Sequence, residues 1–172
     1  MHLLSERIRL IATFAALFLG IVVIPETGHA ATGSPDGISK ESVVAEINRY
    51  RLESGLSPLQ ADERLDAAAE DRIVDMEVVG YWGHQCPEGH SPFVVLSGHD
   101  YRHRTAGENL AAGFETTSVL VRSWMESPGH RANILSPDYS DIGVALIDGG
   151  TTRRMNGRSV VVMFARELDE TR

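Results

Sequence analysis

The sequence predicts an α+β fold, with helices first along the chain and short strands last. Apolar residues recur at helical spacing over 39–54 and again over 62–79. Two β-branched runs, 142–147 and 160–164, are separated by Asp-Gly-Gly and Asn-Gly turn signals and indicate an antiparallel hairpin. Helices followed by strands, rather than alternating with them, are typical of α+β domains built in layers.

The two long helices carry signals for both of their ends. The first should run from about Ser39 to Ser54, where Gly55 stops it. The second should run from about Asp62 to Val79, with Asp62 as N-cap and Gly80 as the residue that ends it. Its apolar face is the clearer of the two and consists of Leu65, Ala68, Ala69, Ile73, Met76 and Val79.

Shorter elements fill the middle of the chain. Helices are predicted over 91–97, with Ser91 as cap, over 116–125, with Thr116 or Thr117 as cap, and over 127–134, with Ser127 as cap. Pro128 separates the last two, because the residue before a proline is pushed out of the helical region. The segment around Leu110 is expected to supply a third strand.

Residues 1–30 are predicted to be a signal peptide. Arg7 and Arg9 precede an apolar run over 10–24, and Gly28-His29-Ala30 places small residues where a signal peptidase cleaves. The run is shorter than the roughly 20 residues that span a bilayer, so no stable membrane anchor is expected after cleavage. We expect a secreted protein, extracellular or in the cell envelope, with a linker at 31–38, one domain at 39–166 and a tail at 167–172.

The net charge narrows the classes of partner, and the cysteine count excludes a disulfide within the chain. The net charge of −8 argues against nucleic acid and against anionic membranes as partners. Cys86 is the single cysteine, so no disulfide can form within the chain. A domain of this length buries about two thirds of its unfolded surface and needs no such staple. We expect a monomer.

Three motifs, taken in order, resemble those of a known family. They are Ala-Gly-Glu-Asn-Leu-Ala at 106–111, Trp124, and Gly-His-Arg-Ala-Asn-Ile-Leu at 129–135. Together they resemble the CAP superfamily of cysteine-rich secretory, antigen 5 and pathogenesis-related proteins, in its bacterial SCP-like extracellular branch. The resemblance implies an α-β-α sandwich with a small antiparallel sheet between helical layers, export, and a central cleft lined by two histidines and two glutamates.

Carried over to this chain, the resemblance identifies three cleft residues and leaves a fourth open. His84 and His130 match the two histidines, and Glu108 matches the glutamate of the Gly-Glu-Asn motif. In many relatives the second glutamate lies three residues after the tryptophan, where this chain has Ser127. Either Glu126, one residue earlier, completes the set, or the site has three members and water.

Such a set suits more than one kind of chemistry. Neutral imidazole binds divalent metals, and a carboxylate can orient it or hold a metal-bound water, so zinc or magnesium is a candidate cofactor. Without a metal, a His–Glu pair can act as general base. Buried His and Glu also satisfy one another in purely structural networks. The linear spacing matches no compact zinc motif and leaves these alternatives open.

Neighbouring residues have ordinary roles available. Asn109 and Asn133 are expected to tie loops together through side-chain hydrogen bonds, and Trp124 to pack in the core. Cys86 lies two residues after His84 and can be a nucleophile or a soft metal ligand. An unpaired thiol is the preferred interpretation.

Three functions follow from these residues and from the resemblance. They are an extracellular binding module that holds a ligand and a divalent metal, a metal-dependent or His/Glu-assisted hydrolase of peptides or cell-envelope material, and a lipid or sterol carrier. The carrier normally needs an apolar aromatic loop, whereas residues 85–104 are rich in His and Asp. No nucleophile with an oriented base is visible, so the sequence favours the binding module over the hydrolase.

Overall fold

The computed structural model describes residues 37–149 and 157–168. The predicted signal peptide, most of the linker and most of the tail lie outside these residues. Within them the helices are α1 Lys40–Glu53, α2 Glu63–Val79, α3 Val94–Gly98, α4 Thr117–Glu126 and α5 Pro128–Ile134, and the strands are β1 Gln60–Ala61, β2 His103–Ala112, β3 Asp141–Asp148 and β4 Arg158–Glu167.

Local capping sets the ends of the long helices, which confirms their prediction. The Ser39 side chain accepts a hydrogen bond from the Ser42 amide at 3.1 Å, and Asp62 accepts one from the Arg64 amide at 2.8 Å. Gly80 ends α2 with φ of 81°, in the left-handed region that favours glycine. These interactions supply partners for amides that the first turn of a helix leaves unpaired.

The short helices depart from expectation at two caps. Helix α3 begins at Val94 rather than Ser91, because the Ser91 hydroxyl instead accepts a hydrogen bond from the Phe93 amide in a local turn. Ser127 occupies the N-cap position of α5, but its side chain forms no capping hydrogen bond. Helix α4 begins after Thr116, which caps it as predicted.

The sheet has the order β1-β3-β4-β2. Strands β3 and β4 form the predicted antiparallel hairpin, and β2 pairs antiparallel with β4 on its other side. Strand β1 adds a two-residue parallel pairing to β3, so the sheet is mixed rather than entirely antiparallel. In this order β2 is an edge strand.

Alternate residues of β4 divide the core into two halves. Val160, Val162 and Phe164 face a cluster with α1, α4 and α5, whereas Val161, Met163 and Ala165 face a cluster with α2 and α3. This two-residue period is that of a strand buried on both faces. The result is the expected α-β-α sandwich.

Two close contacts fix the helical layers to the sheet. The buried Arg51 guanidinium donates hydrogen bonds to the carbonyls of Ile134 and Ser136, each at 2.8 Å, and so holds the end of α5 against α1. On the other face, a Cβ at Gly143 would lie 2.2 Å from the carbonyl carbon of Leu65. Strand β3 therefore contacts the backbone of the first turn of α2.

Candidate functional site

A cleft of about 480 Å³ opens where the edge of β2 meets both helical layers. The loop before α3 forms one wall and α5 forms the other, with β2 between them. The residues lining it are His84, Gln85, Pro92, Phe93, Ala106, Gly107, Glu108, Ser127, Gly129, His130 and Asn133. His84, Glu108 and His130, which the sequence predicts as site residues, are thus brought together.

His84 is oriented by Glu108. The imidazole Nδ1 lies 2.7 Å from Glu108 Oε1, and the carboxylate is buried while the His84 side chain is 56% exposed. Hydrogen bonding to this carboxylate raises the pKa of His84 above its ordinary value. A carboxylate on Nδ1 leaves Nε2 as the ring nitrogen available to a ligand.

Arg72 holds both Glu108 and the loop that carries His84. Its Nε donates to Glu108 Oε2 at 3.0 Å, and its Nη2 donates to the Gly83 carbonyl at 2.6 Å. A further nitrogen, Nη1, donates to the Tyr81 hydroxyl, which in turn donates to Asp75. Both oxygens of Glu108 therefore have partners, and the charge of the carboxylate is balanced by a buried guanidinium.

His130 faces His84 from the opposite wall. The centres of the two rings are 6.5 Å apart, and the centre of the buried Trp124 ring lies 6.3 Å from that of His130. Burial lowers the pKa of His130, and the positive charge of a protonated His84 acts in the same direction. The neutral imidazole is favoured at His130.

The asparagines hold α5 against β2, as the sequence predicts. The Asn133 amide donates to the Glu108 carbonyl at 3.0 Å and to Asn109 Oδ1 at 2.8 Å, and the Asn109 amide donates to the His130 carbonyl at 3.2 Å. A Cβ at Gly107 would lie 2.5 Å from the Tyr139 hydroxyl and 2.9 Å from Asn133 Oδ1, so the glycine of the Gly-Glu-Asn motif lets these side chains approach β2 closely.

Glu126 lies apart from the other three predicted residues. It is exposed at the end of α4 and lines a separate surface pocket with Met125 and Arg131, whereas Ser127 lines the cleft. Helix α4 ends at Glu126 and the backbone of Ser127 is extended, so the chain turns toward the cleft between these two residues. Across 37–149 and 157–168, no three His, Cys, Asp or Glu side chains form a group that could hold a metal ion.

Of the four predicted ligands, the two imidazoles are the donors that would be free to hold a metal. Glu126 points elsewhere, and Glu108 is engaged by Arg72 and His84. Two imidazoles remain as donors, with Glu108 behind His84 in the position of an outer partner that orients a metal-binding histidine. This donor set is suited to zinc more than to magnesium, which prefers oxygen ligands.

Arg72 was not predicted as part of the site, although the sequence contains a signal for it. Arg72 lies seven residues after Leu65, four after Ala68 and four before Met76, so it falls within the apolar stripe of α2. A charged side chain in such a stripe is buried only when it is paired. The partner, Glu108, is 36 residues away in sequence, so the pairing itself could not be predicted.

Cys86 and the remaining loop histidines do not line the cleft. Cys86 and His90 lie in a neighbouring pocket, where the Cys86 sulfur accepts a hydrogen bond from the His90 amide at 3.2 Å. The His99 ring contacts Asp71 at 2.8 Å. Cys86 therefore has an unpaired thiol, as the sequence predicts, and it lies in a different pocket from His84 and His130.

The sequence of this chain matches the profile of a known protein family. The profile of the Cysteine-rich secretory protein family, CAP, matches residues 44–164, and the chain belongs to that family. The predicted resemblance is thereby confirmed. Among the described residues, no helix is both long enough and apolar enough to cross a membrane.

Two Bacillus subtilis proteins are similar in sequence. YkwD is 38% identical over 128 residues, which are 73% of this chain and 50% of YkwD. The membrane protein YlbC is 27% identical over 118 residues, which are 63% of this chain and 31% of YlbC. This chain thus matches half or less of the length of either relative.

Solved structures show the same fold. An outer surface protein of Borrelia burgdorferi has a TM-score of 0.65 at 24% identity, covering 77% of this chain and 98% of its own. An SCP-domain extracellular protein of Bacillus anthracis has a TM-score of 0.65 at 23% identity, covering 74% of this chain and 40% of its own. At this identity the likeness concerns the fold alone.

Proposed function

We propose that this CAP-domain protein is an exported binding module whose cleft takes an extracellular ligand between His84 and His130. The observation that carries the proposal is the pair of imidazoles facing each other from opposite walls, 6.5 Å between ring centres, with the buried Arg72–Glu108 pair fixing one of them. A concave site with a few oriented polar groups is typical of ligand binding.

Export is part of the proposal. The features of residues 1–30 support a cleaved signal peptide, and two structural relatives are described as an outer surface protein and an extracellular protein. The net charge of −8 supports a partner that is not a nucleic acid. We propose a monomer, with no stable membrane anchor after cleavage.

A divalent metal, zinc rather than magnesium, is proposed to bind the two imidazoles, with water or the ligand completing its coordination. The two rings lie 6.5 Å apart between centres, and a zinc ion would be held between a nitrogen of each, with Glu108 orienting His84 from behind. With two protein donors the metal is held more weakly than in a closed structural site, and its open positions are available to a ligand.

A calorimetric titration of the metal-stripped protein with zinc and with magnesium tests this site. We expect one zinc per chain, little response to magnesium, and an affinity at least about tenfold lower in a His84→Ala/His130→Ala variant. Glu126→Gln is the matched control and should leave the affinity unchanged, because Glu126 lies outside the cleft. His99→Ala reports on incidental binding at the surface.

Two results would count against this assignment. If the parent and the double-histidine variant bind zinc alike, the cleft does not bind the metal. If Glu126→Gln weakens binding as much as the histidine substitutions do, the four-residue set is correct and Glu126 must reach the cleft.

A His/Glu-assisted hydrolase is the second candidate, and one arrangement favours it. The two imidazoles lie across one cleft, and their surroundings raise the pKa of His84 and lower that of His130. An acid and a base separated in this way suit proton transfer to and from a substrate held between them.

Hydrolysis of fluorogenic peptides and of labelled cell-wall fragments, with and without zinc, distinguishes this candidate from simple binding. For a hydrolase, His84→Gln and His130→Gln should each lower the rate by about a hundredfold or more, while Glu126→Gln keeps the parent rate. Turnover that persists in both histidine variants would come from a contaminant or another site. A lipid carrier has less support than the other two functions. The apolar side chains among the residues that line the cleft are Pro92, Phe93 and Ala106, which offer little apolar surface to a lipid chain.

A further inference from the structure

We propose that the ligand of the cleft is a polypeptide segment in extended conformation, which adds as a short strand to the free edge of β2. The proposal rests on the function proposed above, since it names the class of ligand that the same cleft binds. It follows from the register of the sheet and from the hydrogen bonds that α4 and α5 make to β2.

The register determines which backbone groups of β2 face the cleft. The Gly113 amide donates to the Arg158 carbonyl at 3.0 Å, next to the Ala112–Ser159 pair of the β2–β4 ladder. In an antiparallel ladder hydrogen-bonded pairs recur every second residue, so the amides and carbonyls of Gly107 and Asn109 face β4. Those of the even-numbered residues, Ala106 among them, face the opposite side.

The opposite side of β2 is only partly occupied. No other described strand pairs there. Asn133 donates to the Glu108 carbonyl at 3.0 Å, and the Trp124 indole donates to the Leu110 carbonyl at 3.1 Å. Ala106, the next outward-facing residue, is half-buried, and no group of the described residues hydrogen bonds to its amide or carbonyl.

Ala106 lies on the floor of the cleft, between the two walls. An edge amide and carbonyl in a groove form a template for a further strand, and strand addition to an edge is an established mode of peptide recognition. Because Asn133 and Trp124 already hold the edge from Glu108 onward, the added strand has to end near the two histidines. The imidazoles would then contact the end of the peptide backbone or its last side chain.

The charges of the cleft suit a peptide backbone, which is neutral. Glu108 and Arg72 are paired within the protein, so neither presents an unbalanced charge. The polar side chains that remain in the lining, Gln85, Ser127 and Asn133 with the two histidines, donate or accept hydrogen bonds without a fixed charge. Main-chain bonds along the edge supply affinity, and the walls contact alternate side chains.

Amide hydrogen exchange, measured by NMR with and without peptide, tests the edge directly. In the free protein the Gly107 amide should exchange slowly and the Ala106 amide quickly. The probes are members of a random library of N-acetylated, C-amidated hexapeptides, so that end charges do not contribute. A bound hexapeptide should slow exchange at Ala106 by about tenfold or more and leave Gly107 protected as before.

Single N-methylation along the best-binding hexapeptide provides the second readout. A methyl group at the peptide residue that pairs with Ala106 should weaken binding about fivefold or more, since it removes a main-chain hydrogen bond, while the neighbouring positions tolerate it. On the protein, Ala106→Pro removes an outward amide within the cleft and should weaken binding similarly. Ala112→Pro removes an outward amide of the same strand outside the cleft and should not.

Either of two results overturns the proposal. One is that no hexapeptide binds with a dissociation constant below about 1 mM. The other is that a bound hexapeptide has no single position sensitive to N-methylation and does not protect the Ala106 amide. The N-methyl series remains decisive if a proline variant fails to fold. A zinc titration of the same parent protein separates the two proposals. If zinc binds through the histidines but no peptide binds, the proposed binding site stands and only a peptide as its ligand is ruled out.

Discussion

Replacing Arg72 with methionine is expected to lower the free energy of unfolding by about 3–5 kcal/mol. The guanidinium and the Glu108 carboxylate are 3% and 1% exposed, so the substitution leaves a buried carboxylate without its cation. It also removes the donors to the Gly83 carbonyl and the Tyr81 hydroxyl. Urea denaturation followed by circular dichroism measures the loss.

Two further variants make this prediction specific. Arg49→Met removes an arginine that is 45% exposed and paired with Glu46 and Glu53, and it should change stability by less than about 1 kcal/mol. Arg72→Met/Glu108→Leu replaces the whole pair by apolar groups and should recover much of the stability lost in the single variant. A single Arg72→Met variant as stable as Arg49→Met would show that the pair is not buried.

Replacing Gly143 with alanine should cost about 3 kcal/mol, at the upper end for an added methyl group in a packed interior. The new Cβ would lie 2.2 Å from the Leu65 carbonyl carbon and 2.4 Å from the Asp66 amide nitrogen, which belong to backbone rather than to a flexible side chain. The Asp66 carboxylate accepts a hydrogen bond from the Val144 amide at 2.6 Å, so separation of β3 from α2 weakens this bond as well.

Gly129→Ala is the matched control for this substitution. Gly129 lies in α5, and a methyl group added there would have nothing within 4 Å, so alanine should be neutral or stabilise by up to about 1 kcal/mol. The same denaturation experiment applies to both. Equal midpoints for the two variants would contradict the close approach of β3 to α2.

Features determined by neighbouring residues could be predicted from the sequence. The bounds of α1 and α2 follow from Ser39, Asp62 and Gly80. The side chains of Ser39 and Asp62 bond amides in the next helical turn, and Gly80 adopts the left-handed conformation that ends α2. The β3–β4 hairpin follows from its β-branched runs and the glycines between them. The α+β class needed no more than these signals.

Features determined by distant residues could not be predicted. The pairing of β2 with β4 joins residues 47 to 64 positions apart, from Ala112–Ser159 to His103–Glu167, and no turn chemistry specifies it. The same holds for the contact between Arg72 and Glu108, which determines how His84 is oriented. Whether Glu126 or Ser127 faces the cleft depends on the residue at which α4 ends, and sequence signals locate a helix end only to within one or two residues.

In the proposed function, His84 and His130 together form the ligand-binding part of the cleft. The most direct test is an anomalous difference map, recorded at the zinc absorption edge, from crystals of the protein grown with zinc. We predict a peak between the two imidazoles, about 2.0–2.1 Å from a ring nitrogen of each, with Glu108 still bonded to His84 and Glu126 outside. Peaks confined to His99 and Asp71 or to the Cys86 pocket, with none in the cleft, would contradict the claim.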